Sequence, residues 1–360
     1  MKIVIALTIQ ILLGVVCASA QTVVSPLKIK GYVEMYYVYD FSNPASHTRP
    51  TCFYSYNRHN EVSVNLGYLQ AEYDKENVRG KLALMTGTYS SANLKSEPDV
   101  LRNIFEANLG LKLSNSKNVW IDAGVFSSHI GFESAVGANC WNMTRSLMAE
   151  NSPYYESGVK LSYTSNDGKW FVSGLLLNGW QRMQRINGNN TPACGHQLTW
   201  MPDKRLTLNS SSFVGSDSPD SLRKMRYFHN FYAICQVTES IGLILGVDVG
   251  AQQKSKNSAL YDLWYSPVCI ARYAVSDKLS LATRAEFYSD KSGVIVSTGT
   301  VNGFQTLGLS LNMDLQLADN VMWRIESRML RSLDDLIFVD NNQHLTASNI
   351  FTGTSLSVRF

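Results

Sequence analysis

What the chain lacks narrows it first. Beyond residue 20 no apolar run approaches the ~20 residues a helix needs to cross a bilayer, so no helical span is expected in the body of the chain. Charge of one sign is missing too: 32 Lys and Arg stand against 29 Asp and Glu. A net charge of +3 is too small to imply nucleic acid or a polybasic membrane contact. Cysteine is sparse, with no C-x-x-C and no Cys/His spacing that would build a zinc site, so neither a metal nor a cofactor is expected. Cys235 and Cys269 fall within expected strands as small apolar residues. Cys52, Cys140 and Cys194 fall in expected loops, where one disulfide could form and the spacing does not choose the pair. No low-complexity segment, linker or second domain is visible.

What is present begins at the ends. Lys2 precedes the apolar run Ile3 to Val16, followed by Ala18, Ser19 and Ala20. A charged start, an apolar stretch and an A-x-A site predict a cleaved signal peptide over 1–20 and a mature chain over 21–360. A lipid anchor on Cys17 is the rival reading, disfavoured by the bulk of Val16. At the other end, ASNIFTGTSLSVRF (347–360) sets Ile350, Leu356, Val358 and Phe360 on one face of an extended strand, with Thr352 and Thr354 among them. Phe351, Gly353, Ser355, Ser357 and Arg359 take the other face. Gly353, Leu356, Val358 and the closing Phe360 resemble the carboxy-terminal signal by which outer-membrane barrels of Gram-negative bacteria are recognised for insertion. That resemblance implies outer-membrane lipid and the barrel-assembly machinery as partners.

Period-two runs bounded by turn residues give sixteen expected strands, near 27–41, 60–74, 77–89, 103–114, 118–127, 154–165, 169–180, 194–201, 204–214, 226–238, 240–252, 260–276, 278–289, 303–318, 320–330 and 347–360. Short turns, such as Lys75-Glu76 and Asn166 to Gly168, alternate with long links, such as 42–59 and 128–153. That rhythm is the asymmetry of a bacterial outer-membrane barrel, with short periplasmic turns and long outer loops. The predicted fold is therefore an all-β, antiparallel, up-and-down transmembrane barrel of about sixteen strands. In 303–318, Leu307, Leu309, Leu311, Met313, Leu315 and Leu317 would face lipid, and Gly308, Ser310, Asn312, Asp314 and Gln316 the lumen. A soluble β-sandwich would alternate in the same way; the two termini decide between them. Trp120, Trp170, Trp200 and Trp323 lie beside short turns and Trp180 and Trp264 near long loops, the placement of two interfacial girdles. Tyr36, Tyr37 and Tyr39 would join the outer one.

Four segments are more specific than composition: WIDAGVFSSHIGFESA (120–135), AENSPYYESGVKLSY (149–163), LLNGWQR (176–182) and MRYFHNFY (225–232). They resemble the β-barrel porins of the OmpL-like family, common in Bacteroidota, over nearly the whole mature chain. The resemblance implies an outer-membrane porin and brings no catalytic residues with it.

A sixteen-stranded barrel is wide enough for an aqueous channel. Its inner face would carry Arg79, Lys81, Glu106, Lys112, Glu156, Lys160, Arg284, Glu286, Asp314, Arg324, Glu326 and Arg328 as pore-lining and selectivity candidates, or as a salt-bridge network stiffening the wall. The longest link, Ser128 to Pro153, holds Phe132, Trp141, Leu147 and Met148, too apolar for a loop wholly in water. An inward fold would make Glu133, Trp141, Arg145 and Glu150 constriction residues. Ser127 and His129 share a strand face, the one arrangement that a barrel hydrolase could use. The expected function is passive diffusion of small hydrophilic solutes or ions. The alternative is a plugged, non-conducting barrel that binds a partner or ligand through its outer loops; a barrel hydrolase comes third. No nucleic acid is expected as a partner, and a homo-oligomer is compatible with the sequence.

Overall fold

Alternating side chains become strands here because only a closed sheet satisfies every backbone N–H and C=O in lipid without a helix. The computed structural model describes residues 25–340, 342 and 344–360; the predicted signal peptide lies outside them. Sixteen strands form the wall: β1 (Leu27–Asp40), β2 (Val62–Lys75), β3 (Val78–Thr86), β4 (Ile104–Lys112), β5 (Asn118–Ser127), β6 (Tyr155–Thr164), β7 (Trp170–Leu177) and β8 (Ala193–Asp203). They continue as β9 (Leu206–Gly215), β10 (Arg226–Gln236), β11 (Ile241–Gln253), β12 (Tyr261–Ala274), β13 (Leu279–Asp290), β14 (Phe304–Ala318), β15 (Val321–Ser332) and β16 (Ser348–Arg359). Each pairs antiparallel with the next, and β16 returns to β1, so the sheet is a closed barrel with no free edge. No helix among the described residues is long and apolar enough to cross a membrane.

The seam is made by the chain's first and last strands. Tyr32 to Asp40 pair with Arg359 to Phe351, and Gly31 and Phe360 exchange backbone hydrogen bonds of 2.7 and 3.1 Å. A Cβ at residue 31 would lie 2.2 Å from the Phe360 ring, so the terminal aromatic folds over the one position in β1 with no side chain to obstruct it.

On the outer face, Leu307, Leu309 and Leu311 are exposed as lipid-facing residues should be, while Ser310, Asn312 and Asp314 between them are buried. Thr352 and Thr354 on that face are satisfied locally, by Ser327 Oγ (2.9 Å) and by the Trp323 indole N–H and Arg324 carbonyl (both 2.8 Å). Trp170 and Trp200 stack with ring centres 5.7 Å apart beside the short turns, and Tyr227 and Tyr261 meet near the long loops. Three tryptophans depart from the expected girdle. Trp264 is fully buried on the inward side of β12, in phase with Asp262 and Ser266 rather than with Leu263 and Tyr265. Trp120 faces the lumen beneath Arg79, and Trp180 packs edge-on to Phe213 and Phe228 inside. Tyr36 is likewise buried inside, since it shares phase with Glu34 and Val38, whereas Tyr37 and Tyr39 alternate to the outside. Cys52, Cys140 and Cys194 are free thiols, the first two buried and the third exposed.

Candidate functional site

The loop between β5 and β6 turns into the barrel and runs the depth of its lumen. Its course can be followed by the wall residues it meets. His129 sets Nε2 2.8 Å from the Ser212 carbonyl on β9, and the Gly131 amide donates to Asn230 on β10. Trp141 reaches the periplasmic end of β11, where a Cβ on Gly242 would lie 2.6 Å from its ring. Arg359, the penultimate residue, donates to Asn139 at 2.5 Å. The return limb passes β14, where Asn312 accepts from the Met143 amide (2.9 Å), and climbs along β15 and β13.

The wall charges expected to line a pore on this side are spent on the loop backbone. Arg324 donates to the carbonyls of Gly137 and Cys140 (2.8 Å each) while forking onto Asp314. Glu326 accepts from the amide and hydroxyl of Thr144 at 2.5 and 2.9 Å and from Arg284 at 3.0 Å. Arg284 donates to the Thr144 carbonyl (2.7 Å), Arg328 to the Arg145 carbonyl (2.9 Å), and Glu286 accepts from the Leu147 amide (2.6 Å). A carboxylate or guanidinium in a dry interior needs such donors and acceptors to offset its desolvation. A loop offers many unpaired backbone groups, so wall ions and loop backbone satisfy one another.

The four constriction candidates hold the loop in shape. Arg145 is fully buried and donates to the Ser134, Met143 and Ala135 carbonyls, tying the loop's two limbs together. Glu133 accepts from the Ser146 amide and hydroxyl, and burial pushes its carboxyl above the usual range. Trp141 packs with Ile244, Val268 and Ile270. Glu150 accepts from the Tyr54 and Ser55 amides at 2.9 and 3.2 Å, and burial pushes its carboxyl up to about 7. Burial acts oppositely on the His129 imidazole, pushing it down to about 4.

Glu150 points to a feature that sequence reading missed: the loop between β1 and β2 also folds inward. Its Tyr56 is fully buried and donates to Glu34 on the β1 wall at 2.9 Å. The run CFYSY at 52–56 carried the same apolar signal as the longer loop. A short helix after β3, Thr88–Asn93, turns in as well and sets Tyr89 against Tyr154, ring centres 5.7 Å apart.

The 128–153 loop is bonded chiefly to β9–β16; an outer cavity of about 560 Å³ lies between the β1–β2 loop, Phe304 and Phe338, and a run of spaces follows the β3–β6 side. An outer vestibule of about 890 Å³ is bordered by Lys95, Glu150, Trp180 and Arg182. A pocket of about 190 Å³ between loop and wall follows, lined by Tyr89, Tyr154 and Phe105. A periplasmic cavity of about 450 Å³ shares Ser127 with it. Four candidates border this last cavity: Arg79, paired with Asp122 at 2.6 Å; Lys81, paired with Glu106 at 3.3 Å; and Lys160, whose ammonium lies over the Phe126 ring with no ion pair among the described residues. Lys112 follows on the same inward face of β4. Glu156 is fully buried and neither carboxylate oxygen has a partner. Ser127 and His129 are not joined: the Ser127 hydroxyl donates to Glu106 (2.7 Å).

The sequence model of the family described as "Putative beta-barrel porin-2, OmpL-like" matches residues 26–360. No curated protein matches the sequence. Among solved structures, the chain resembles an anion-selective porin from Comamonas acidovorans (TM-score 0.60, 10% identity, 93% of this chain and 99% of that one). OmpF of Salmonella typhi, in complex with daunomycin, is as similar (TM-score 0.60, 10% identity, 93% and 97%). OmpT, an outer membrane protein of Vibrio cholerae, follows at TM-score 0.57 with 10% identity over 93% and 97%. At that identity the likeness speaks for the fold alone.

Proposed function

The chain belongs to the OmpL-like family of β-barrel porins of the Gram-negative outer membrane, and from that premise we propose that small hydrophilic solutes diffuse along the β3–β6 side of its lumen. One observation supports this reading: the 128–153 loop takes its wall contacts chiefly from β9–β16, and the periplasmic cavity and the pocket above it lie on the β3–β6 side. Tyr89 and Tyr154, ring centres 5.7 Å apart, border the pocket on this path. The periplasmic cavity is lined by Arg79, Lys81 and Lys160 against Glu72, Asp74, Glu106 and Asp122, so its wall presents both signs, and Lys160, the one cation without a carboxylate partner, is the cation freest to act on a passing ion. The site has no hydrolytic role in this reading, because Ser127 and His129 each serve a separate partner.

The plugged alternative draws support from the close contact of Tyr89 with Tyr154. Planar-bilayer recording of the purified protein in asymmetric salt separates the two. Diffusion predicts discrete channels and a reversal potential that shifts toward cation selectivity in Lys160→Glu. Silence from correctly folded protein, persisting in Tyr154→Ala, sinks the diffusion reading and leaves the plugged barrel.

A further inference from the structure

Three loops meet at the outer vestibule and are bonded to one another there. Gln181, in the loop between β7 and β8, donates through its side-chain amide to the Asn93 carbonyl (3.2 Å) and accepts from the Tyr154 amide (2.7 Å). Its backbone is left-handed, with φ 54°, a conformation that non-glycine residues seldom adopt. Glu97 adds a second tie by accepting from the Met183 amide at 2.9 Å. The segments 93–97 and 180–184 are thereby apposed, and each brings one cation to the vestibule, Lys95 and Arg182.

The charge around this space is unevenly committed. Five cations border it, Arg49, Arg58, Lys95, Arg182 and Arg226, against the carboxylates of Glu150 and Asp217. Arg49 faces Asp40, Arg58 pairs with Glu61, and Arg226 lies 3.7 Å from Asp217. The carboxylates are occupied as well: Glu150 accepts from the Tyr54 and Ser55 amides, and Asp217 from the Trp180 amide. Lys95 and Arg182 are the two cations without an ion pair among the described residues. What the vestibule leaves unanswered is therefore positive.

Two amides on the same border are incomplete. Asn93 and Asn151 are buried, yet Asn93 Nδ2 and Asn151 Oδ1 have no hydrogen-bond partner among the described residues. One is a donor and the other an acceptor. A buried polar atom left unpaired is costly, and a hydroxyl, which both donates and accepts, can satisfy either. Trp180, held edge-on by Phe213 and Phe228, and Tyr54 add apolar surface beside them.

We propose that the outer vestibule is a binding site for a small hydroxylated anion, a sugar acid or a sugar phosphate. Lys95 and Arg182 hold the anionic group from two sides, Asn93 and Asn151 meet hydroxyls, and Trp180 and Tyr54 lie against the carbon skeleton. A guanidinium presents paired donors to a carboxylate or a phosphate alike. The volume of about 890 Å³ is that of a small-molecule site. The inference rests on the diffusion reading only for the onward passage of the solute; binding itself needs no open path.

Isothermal titration calorimetry on the folded full-length barrel in detergent micelles tests this with glucuronate, glucose 6-phosphate, glucose and acetate. Saturable binding of glucuronate or glucose 6-phosphate is expected, and the tighter of the two identifies the anionic group. Glucose and acetate, each lacking half of the recognised chemistry, should bind about tenfold more weakly or worse. Lys95→Ala/Arg182→Ala should weaken the anionic sugar by a similar factor, while Lys254→Ala, on another outer loop, binds as the parent does. Compact migration on unboiled gels shows that a variant is folded; if the double variant fails to fold, Arg182→Ala gives the second reading, with the same expected direction. No saturable binding of either anionic sugar, acetate or glucose bound as tightly as they are, or parental affinity in the folded double variant would each overturn the proposal. The readout is heat and not current, so such a failure leaves the diffusion reading standing, and silent bilayers leave this site standing.

Discussion

Glu326→Ala tests whether the wall charges hold the lumen loop in place. The Glu326 carboxylate sits at the meeting point of two Thr144 donors and the Arg284 guanidinium, fully buried. Its removal leaves the Thr144 amide without an acceptor and Arg284 with less compensating charge, while the β15 backbone bonds to β14 and β16 stay as they are. Truncating one partner of a buried ion pair costs roughly 3–5 kcal/mol. Because the loop can leave its seat without unfolding the barrel, that cost falls on the seated state. The ratio of seated to released loop should drop by about a hundred- to a few thousand-fold. Two assays read this: single-channel recording, where larger and noisier openings are expected, and limited trypsin digestion, where cleavage after Arg145 should become fast in intact barrels. A folded Glu326→Ala protein with parental conductance and a protease-resistant Arg145 would refute the latch, since it would show the loop held by packing alone.

Two further outcomes follow from the same geometry. Glu150, raised from 4.5 to about 7, contributes stability that is whole below pH 4.5 and is lost as pH rises through about 7. His129, lowered from 6.5 to about 4, contributes stability that is whole above pH 6.5 and is lost as pH falls through about 4. Each swing is about 3 kcal/mol and the two oppose, so Glu150→Gln should gain about that much on the parent between pH 4.5 and 7.5 in urea unfolding; parallel pH profiles would contradict the assignment. Gly31→Val places a branched side chain where the Phe360 ring lies, and the folded fraction on unboiled gels should fall, with about 1–3 kcal/mol lost from overpacking; undiminished folding would mean that the ring has another resting place.

The barrel was legible because its main signal is local. A strand in lipid must alternate, and Leu307 to Leu317 do so without interruption, so strand number could be read from spacing and the long-short rhythm of links. The facing of Trp264 was also within reach, since its phase with Asp262 and Ser266 stands in the sequence. The inward turn of 128–153 showed in its Phe, Trp, Leu and Met content. The fate of the wall charges did not show. Arg324 on an inward face reads the same whether it meets water or the carbonyls of Gly137 and Cys140, nearly two hundred positions earlier. Pairing of a side chain with distant loop backbone leaves no periodic trace, so where the loop leaves space in the lumen is visible only in three dimensions.

The seam between Gly31 and Phe360 also has a meaning in time. Synthesis delivers β1 before β16, yet these two strands are neighbours, so the ring cannot shut until β16 has been made. A chain released early, or trimmed by a few residues, would hold the paired wall from β1 to β15 and present raw strand edges on both sides of the gap. Closure is thus registered at a single joint, where the first strand of the wall to be made meets the last.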